Sequence, residues 1–147
     1  MSDQDQAAEA LAGEWAAKVR RYTPLTQLQL KPNPKKASSP EVAVIAEGER
    51  VLKATAGQDY VVVLDERGRN LTSEGMADLL AQASERGASG LTFCIGGPFG
   101  HSPAVRQRGN DTIKLSSMVL NHQIANLVLL EQLYRGWTIL RGEPYHH

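Results

Sequence analysis

A chain of 147 residues is long enough for one domain with its own hydrophobic core and needs no disulfide or metal staple. Sixteen Lys and Arg residues balance sixteen Asp and Glu residues, so no global field draws in nucleic acid, and any RNA or DNA contact must be a local patch. The single cysteine excludes a disulfide framework and points to a reducing compartment, and no apolar run is long enough to span a bilayer.

The elements follow from the apolar spacing. Residues 1–6 are polar and are expected to fray. Residues 1–20 carry acids and little arginine, so neither a secretory signal nor a transit peptide is expected in them. Leu11, Trp15 and Val19 recur at intervals of four and Tyr22 closes the stripe, which predicts an amphipathic helix over residues 7–22, ended by Pro24. The alternation Gln27-Leu28-Gln29-Leu30 predicts a half-buried strand. Residues 31–39 hold Pro32, Pro34, Lys35 and Lys36 without apolar period and read as a flexible basic loop.

Ser39 as N-cap, Pro40 and Glu41 open a second helix. Val44, Ile45, Val51 and Leu52 are its expected buried face, and Gly57 is its stop. The β-branched run Tyr60-Val61-Val62-Val63-Leu64 suits a strand buried on both faces, as in a parallel sheet, and Asp65-Glu66-Arg67-Gly68 is expected to turn the chain. Thr72 or Ser73 caps a helix carrying Met76, Leu79, Leu80 and Ala83, ended by Gly87 and Gly90. Residues 91–95 form a second buried strand, followed by Gly96-Gly97-Pro98-Phe99-Gly100. Ser102-Pro103 starts a short helix to about Arg108, and residues 113–115 form a third short strand. Residues 120–140 are apolar over most of a helical circumference and should be central. Strands alternating with helices mean one α/β domain with a largely parallel sheet over residues 1–147.

In open α/β sheets, ligands bind outside the carboxyl ends of the strands, which singles out the turns after Leu64, Ile95 and Leu115. Gly96, Gly97 and Gly100 present bare backbone that a ligand can approach, or simply serve a turn that needs positive φ. The pattern is neither G-x-G-x-x-G nor a P-loop, which disfavours a dinucleotide or nucleoside triphosphate. His101, His122, His146 and His147 lack ligand spacing beyond the adjacent pair, so no metal is expected. No G-x-S-x-G elbow occurs, and Cys94 in its apolar run reads as core rather than nucleophile. Asp65-Glu66 either orients a ligand hydroxyl or forms a solvated turn. His146-His147 is a disordered tail, a remnant tag or a docked end, and the neighbouring Pro144 and Tyr145 suggest docking. Lys31, Lys35, Lys36, Arg106, Arg108, Lys114, Arg135 and Arg141 are phosphate contacts or scattered surface charge.

Taken in order, Leu64-Asp65, Ile95-Gly-Gly-Pro-x-Gly100, Leu115-Ser-Ser-Met, Asn121-His122, Glu131-Gln-Leu-Tyr-Arg135 and Pro144-Tyr-His146 give the chain a family likeness. It resembles the RlmH type of SPOUT methyltransferase, which acts on N3 of a pseudouridine in 23S ribosomal RNA. The resemblance is dense over residues 60–147 and weaker, though collinear, over residues 14–57. It implies an α/β parallel-sheet SPOUT fold closed by a C-terminal trefoil knot, a topology that chain-connection rules treat as a rare exception. It also implies S-adenosyl-L-methionine as cofactor, held by Leu64, Gly96 and the stretch Leu115, Ser116, Ser117, Met118, Val119 and Leu120. His146 is the implied catalytic base or its orienter, with Tyr145 packing the target uracil, while Arg135 and Arg141 hold RNA phosphates.

The implied partners are a second copy of the chain, in a homodimer that uses helix 120–140, and ribosomal RNA within the ribosome, with no membrane and no metal. The zero net charge suits a substrate presented by an assembled ribosome better than free RNA. The implied compartment is bacterial cytoplasm, or a chloroplast or other organelle matrix. Family members begin with a β-strand ahead of the first helix where this chain has a polar stretch, so the sheet is expected to lack a donor there. A non-catalytic RNA- or ribosome-binding module that retains the fold is the alternative function.

Overall fold

The computed structural model describes residues 2–30, 39–87 and 90–147, so the expected basic loop lies outside the described residues except for Ser39. The first helix, α1 (Asp3–Val19), starts four residues earlier than its apolar stripe suggests. The cause is a capping box: Asp5 N–H donates to Ser2 Oγ at 3.1 Å and Ser2 N–H to Asp5 Oδ2 at 3.2 Å. Its buried side is also rotated from the expected one. Ala12, Ala16 and Val19 face inward while Leu11 stays 41% exposed. Small side chains let α1 close onto Leu130 of the last helix, with Trp15 and Leu127 packed around the contact.

Residues 24–30 form no strand, and Leu28 is 71% exposed. Alternation can make a strand only where a sheet edge is available to pair with, and the sheet here is built from three other segments. The second helix, α2 (Pro40–Thr55), begins as expected at Ser39, whose side chain accepts from Val42 N–H. Its inner face is Val51, Leu52, Gly48 and Thr55 rather than one that includes Ile45, which is exposed. Gly48 lies so close to Ser102 and Val105 that a Cβ would not fit.

The strands are β1 (Tyr60–Asn70), β2 (Leu91–Ile95) and β3 (Asp111–Lys114), all parallel, in the order β2-β1-β3. The central run is buried on both faces, as its β-branched composition requires. Val62 and Leu64 join the core formed with α3 (Ser73–Glu85), while Val61 and Val63 join Cys94 and Val105 on the other side. The chain does not turn away at 65–68. It bulges and rejoins β3, so that both Leu64 and Arg69 pair with Ile113. Gly68 makes this possible, because a Cβ there would lie 2.5 Å from the Ile113 carbonyl carbon. Arg69 holds the far side by donating to Asp111, with Nη2 to Oδ2 at 2.7 Å.

Helix α3 is capped by Thr72, and the short α4 (Pro103–Arg108) by Ser102. The last helix, α5 (His122–Leu140), packs on both α1 and α3 and supplies Leu129, Leu130 and Leu133 to the core. Among the described residues, no helix is long and apolar enough to cross a membrane.

Candidate active site at the carboxyl ends of the strands

The register of the sheet sets Ile95, Leu64 and Ile113 side by side. The turn after β2, the bulge of β1 and the segment after β3 therefore open at one end of the sheet. The glycine turn folds on itself: Gly97 and Gly100 form a bridge, and Gly100 takes φ +79°. His101, only 6% exposed, donates from Nε2 to the Cys94 carbonyl at 3.1 Å, and Arg106 Nη1 donates to the His101 carbonyl at 2.8 Å. Burial pushes the His101 pKa down, so this ring acts as a neutral brace. Burial likewise pushes the Cys94 thiol up, which suits a core residue and not a thiolate nucleophile.

The segment 115–121 leaves β3 at one edge of the sheet and ends beside β2 at the other. There His122 Nδ1 lies 3.1 Å from the Gly96 carbonyl, and since a carbonyl only accepts, Nδ1 carries the proton. Within the segment, Met118 N–H donates to Ser116 Oγ at 3.0 Å. Met118 and Val119 are 78% and 87% exposed. A cleft of about 260 Å³ opens next to it, lined by Leu71, Thr72, Ser73, Met76, Lys114, Leu115, Val128 and Gln132. Of the positions singled out for the cofactor, only Leu115 lines this cleft.

The C-terminal tail docks beside the cleft. Tyr145 Oη donates to Glu131 Oε2 at 2.8 Å, and Arg135 grips the same carboxylate through Nη2 at 2.8 Å and Nε at 3.3 Å. Arg135 also donates through Nη1 to His146 Nδ1 at 3.1 Å, and its guanidinium lies 4.7 Å above the Tyr145 ring. Since Nδ1 must accept here, Nε2 carries the ring proton and donates to Glu74 Oε1 at 2.7 Å. Ser73 Oγ donates to Gln132 Oε1 at 2.7 Å, which joins this network to the cleft wall. Edge contacts with Tyr134 and Trp15 hold the Tyr145 ring.

Burial alone would raise the Glu131 pKa, but the bonds from Arg135 and Tyr145 outweigh it and hold the carboxyl below its ordinary range. Burial and then the Glu131 bond push Tyr145 up, so its hydroxyl stays protonated as a donor.

Leu64 pairs with Ile95, the residue before Gly96, and shares its core cluster with Leu115, while Met118 and Val119 stand out from the strap. Tyr145, His146 and Arg135 meet in the tail network. Arg141 stands apart at the end of α5, its guanidinium 5.9 Å from the Trp137 ring. Arg135 is committed to Glu131 and His146 and is not a free phosphate contact in this arrangement. Glu74, Gln132 and Glu131 were not among the expected site residues; Glu131 and Gln132 lie in the motif Glu131-Gln-Leu-Tyr-Arg135, and Glu131 also has i,i+4 spacing to Arg135, whereas Glu74 left no signal. Among the described residues, no group of three or more His, Cys, Asp or Glu side chains could hold a metal ion.

A family model described as "Predicted SPOUT methyltransferase" matches residues 2–146. An Arabidopsis thaliana protein provisionally named an RNA methyltransferase is 50% identical over 137 residues, covering 93% of this chain and 71% of its own. Two proteins named ribosomal RNA large subunit methyltransferase H are each 42% identical. The one from Geotalea uraniireducens matches 91% of this chain and 86% of its own. The one from Syntrophotalea carbinolica matches 92% and 87%.

Proposed function

The chain belongs to the SPOUT methyltransferase family, and from that premise we propose that it methylates N3 of a pseudouridine in large-subunit ribosomal RNA, using S-adenosyl-L-methionine. The observation that carries this reading is the juxtaposition at one end of the sheet: a strand-end turn with bare backbone, an apolar strap, and a docked histidine beside a cleft. S-adenosyl-L-methionine suits this surface, because Met118 and Val119 are apolar side chains with nothing over them. When bound, it supplies a methyl group already activated on a sulfonium. Leu64, Gly96 and Leu115, Ser116, Ser117, Met118, Val119 and Leu120 would hold it. The course of residues 115–121 from one sheet edge to the other also accords with the proposed trefoil knot.

The protein's own work is then positioning and proton removal. Aligned reactants can contribute about 7–11 kcal/mol. The N3 proton must leave as the methyl arrives, and His146 is the acceptor through Nδ1, becoming an imidazolium that Glu74 stabilises at Nε2. That step requires the Arg135 guanidinium to leave Nδ1. An RNA phosphate competing for Arg135 provides the release, which couples substrate arrival to readiness of the base. Tyr145 packs the uracil, and Arg141 contacts the backbone. A homodimer built on α5, where Ile124 and Leu140 remain exposed, belongs to the same reading. So does a location wherever ribosomes assemble, in bacterial cytoplasm or an organelle matrix.

The test combines calorimetry with S-adenosylhomocysteine and methyl transfer from labelled S-adenosyl-L-methionine to ribosomes lacking the modification. The expected result is binding, followed by label at one pseudouridine. Absence of binding removes the enzyme reading and leaves a non-catalytic ribosome-binding module.

A further inference from the structure

We propose that His122 is a positioning residue that fixes the spacing between the glycine turn and the strap 115–121, and so sets the affinity of the methyl-donor site. The inference rests on the cofactor assignment proposed above and assigns a role to a side chain outside that set. The sheet order β2-β1-β3 places Gly96 and Leu115 on opposite sides of β1, so no ladder hydrogen bond can hold one to the other. The strap itself crosses that gap, and the His122 Nδ1–H bond to the Gly96 carbonyl at 3.1 Å ties its far end to the β2 side.

Both partners are themselves held. A Cβ on Gly96 would lie 3.1 Å from the Gly100 carbonyl carbon and 3.3 Å from His101 Cδ2, so the turn is closed tightly around this residue. His122 opens α5 directly after its cap, Asn121, whose side chain accepts from Gln123 N–H at 2.8 Å. Gln123 in turn donates to Asp5 of α1. At its other end the strap leaves Lys114, which pairs with Asn70. The strap is therefore pinned at both ends, with Met118 and Val119 exposed between the pins. Removing one pin leaves the contacts in place but lets their spacing vary, and affinity then falls because order must be restored on binding. The Nδ1–H bond is made by the neutral and the charged ring alike.

Two substitutions of one shape separate positioning from bulk. His122→Asn keeps an N–H donor where Nδ1 stood. His122→Asp presents an acceptor to the Gly96 carbonyl, yet suits the first turn of a helix and should fold. Calorimetry with S-adenosylhomocysteine is expected to give Asn affinity within about twofold of the parent and Asp weaker by about tenfold, the scale of one lost hydrogen bond. In turnover the Asp variant raises KM with kcat little changed, and urea midpoints of the two variants agree. Equal affinities for Asn and Asp, with the parent binding normally, overturn the role of His122 alone. A parent protein that does not bind overturns the cofactor assignment and this inference with it.

Discussion

Arg135 Nη1 donates to His146 Nδ1 at 3.1 Å, so the ring nitrogen that would take a proton already has a donor facing it. A base in this state is poised rather than free. His146→Ala is expected to lower kcat for methyl transfer by about 10²–10⁴, the usual weight of a positioned general base, with S-adenosylhomocysteine affinity unchanged. Single-turnover measurements at saturating cofactor check this, and an unchanged rate rules out His146 as the base.

The same network gives the acid response a definite sign. Glu131 is held below its ordinary value of 4.5 when folded, because the Arg135 and Tyr145 bonds outweigh burial. Its contribution is therefore present above that pH and is lost as pH falls through the lower folded value. Bonds from His146 to Glu74, and from Ser2 and Gln123 to Asp5, lower those carboxyls in the same direction. Glu131→Gln is expected to lower Tm by about 2–4 °C near neutrality, the loss of roughly one hydrogen bond's worth of stability. It should also flatten the decline in acid. Thermal melts of both proteins across the acid range read both effects.

Met118 and Val119 offer a cleaner separation of binding from folding. Both side chains stand clear of the core, so Met118→Ala is expected to leave stability within about 0.5 kcal/mol. If Met118 covers the adenine face, truncation weakens S-adenosylhomocysteine binding by roughly tenfold, since burying a Met side chain contributes about 1.5–3 kcal/mol. Calorimetry alongside a urea titration distinguishes the two, and an unchanged affinity removes Met118 from the site.

What could be read from the chain follows the range of each interaction. The caps at Ser39, Thr72 and Ser102 were legible because a side chain and an N–H two or three residues away settle them. The three strand-end turns were legible because β-branched runs mark buried parallel strands, and their clustering then follows from sheet topology. The bulge was not. Asp65 does make the local contact typical of a turn, Arg67 N–H to Asp65 Oδ1 at 2.9 Å. The pairing of Arg69 with Ile113, which continues the strand, is set far along the chain. The polar–apolar alternation at 27–30 misled for the opposite reason, having local pattern but no edge to join. In the tail, the aromatic and histidine character of 145–146 suggested docking. Glu74, 72 residues from His146, could be found only in three dimensions.

The bulge also yields a prediction in which one substitution takes opposite signs. Gly68→Ala places a Cβ 2.5 Å from the Ile113 carbonyl carbon and 2.7 Å from its Cα and N, all backbone atoms of the edge strand that cannot rotate away. The expected cost is about 1–3 kcal/mol, the scale of overpacking. Because Ile113 leads directly into Lys114 and the strap, cofactor affinity should fall as well. Gly13, exposed in the middle of α1, would meet nothing within 4 Å of an added Cβ. Gly13→Ala is therefore expected to stabilise by up to about 1 kcal/mol, because alanine loses less backbone freedom in a helix. Urea midpoints of the two variants should move in opposite directions, and a Gly68→Ala protein as stable as its parent would mean that β1 and β3 do not meet closely at Ile113.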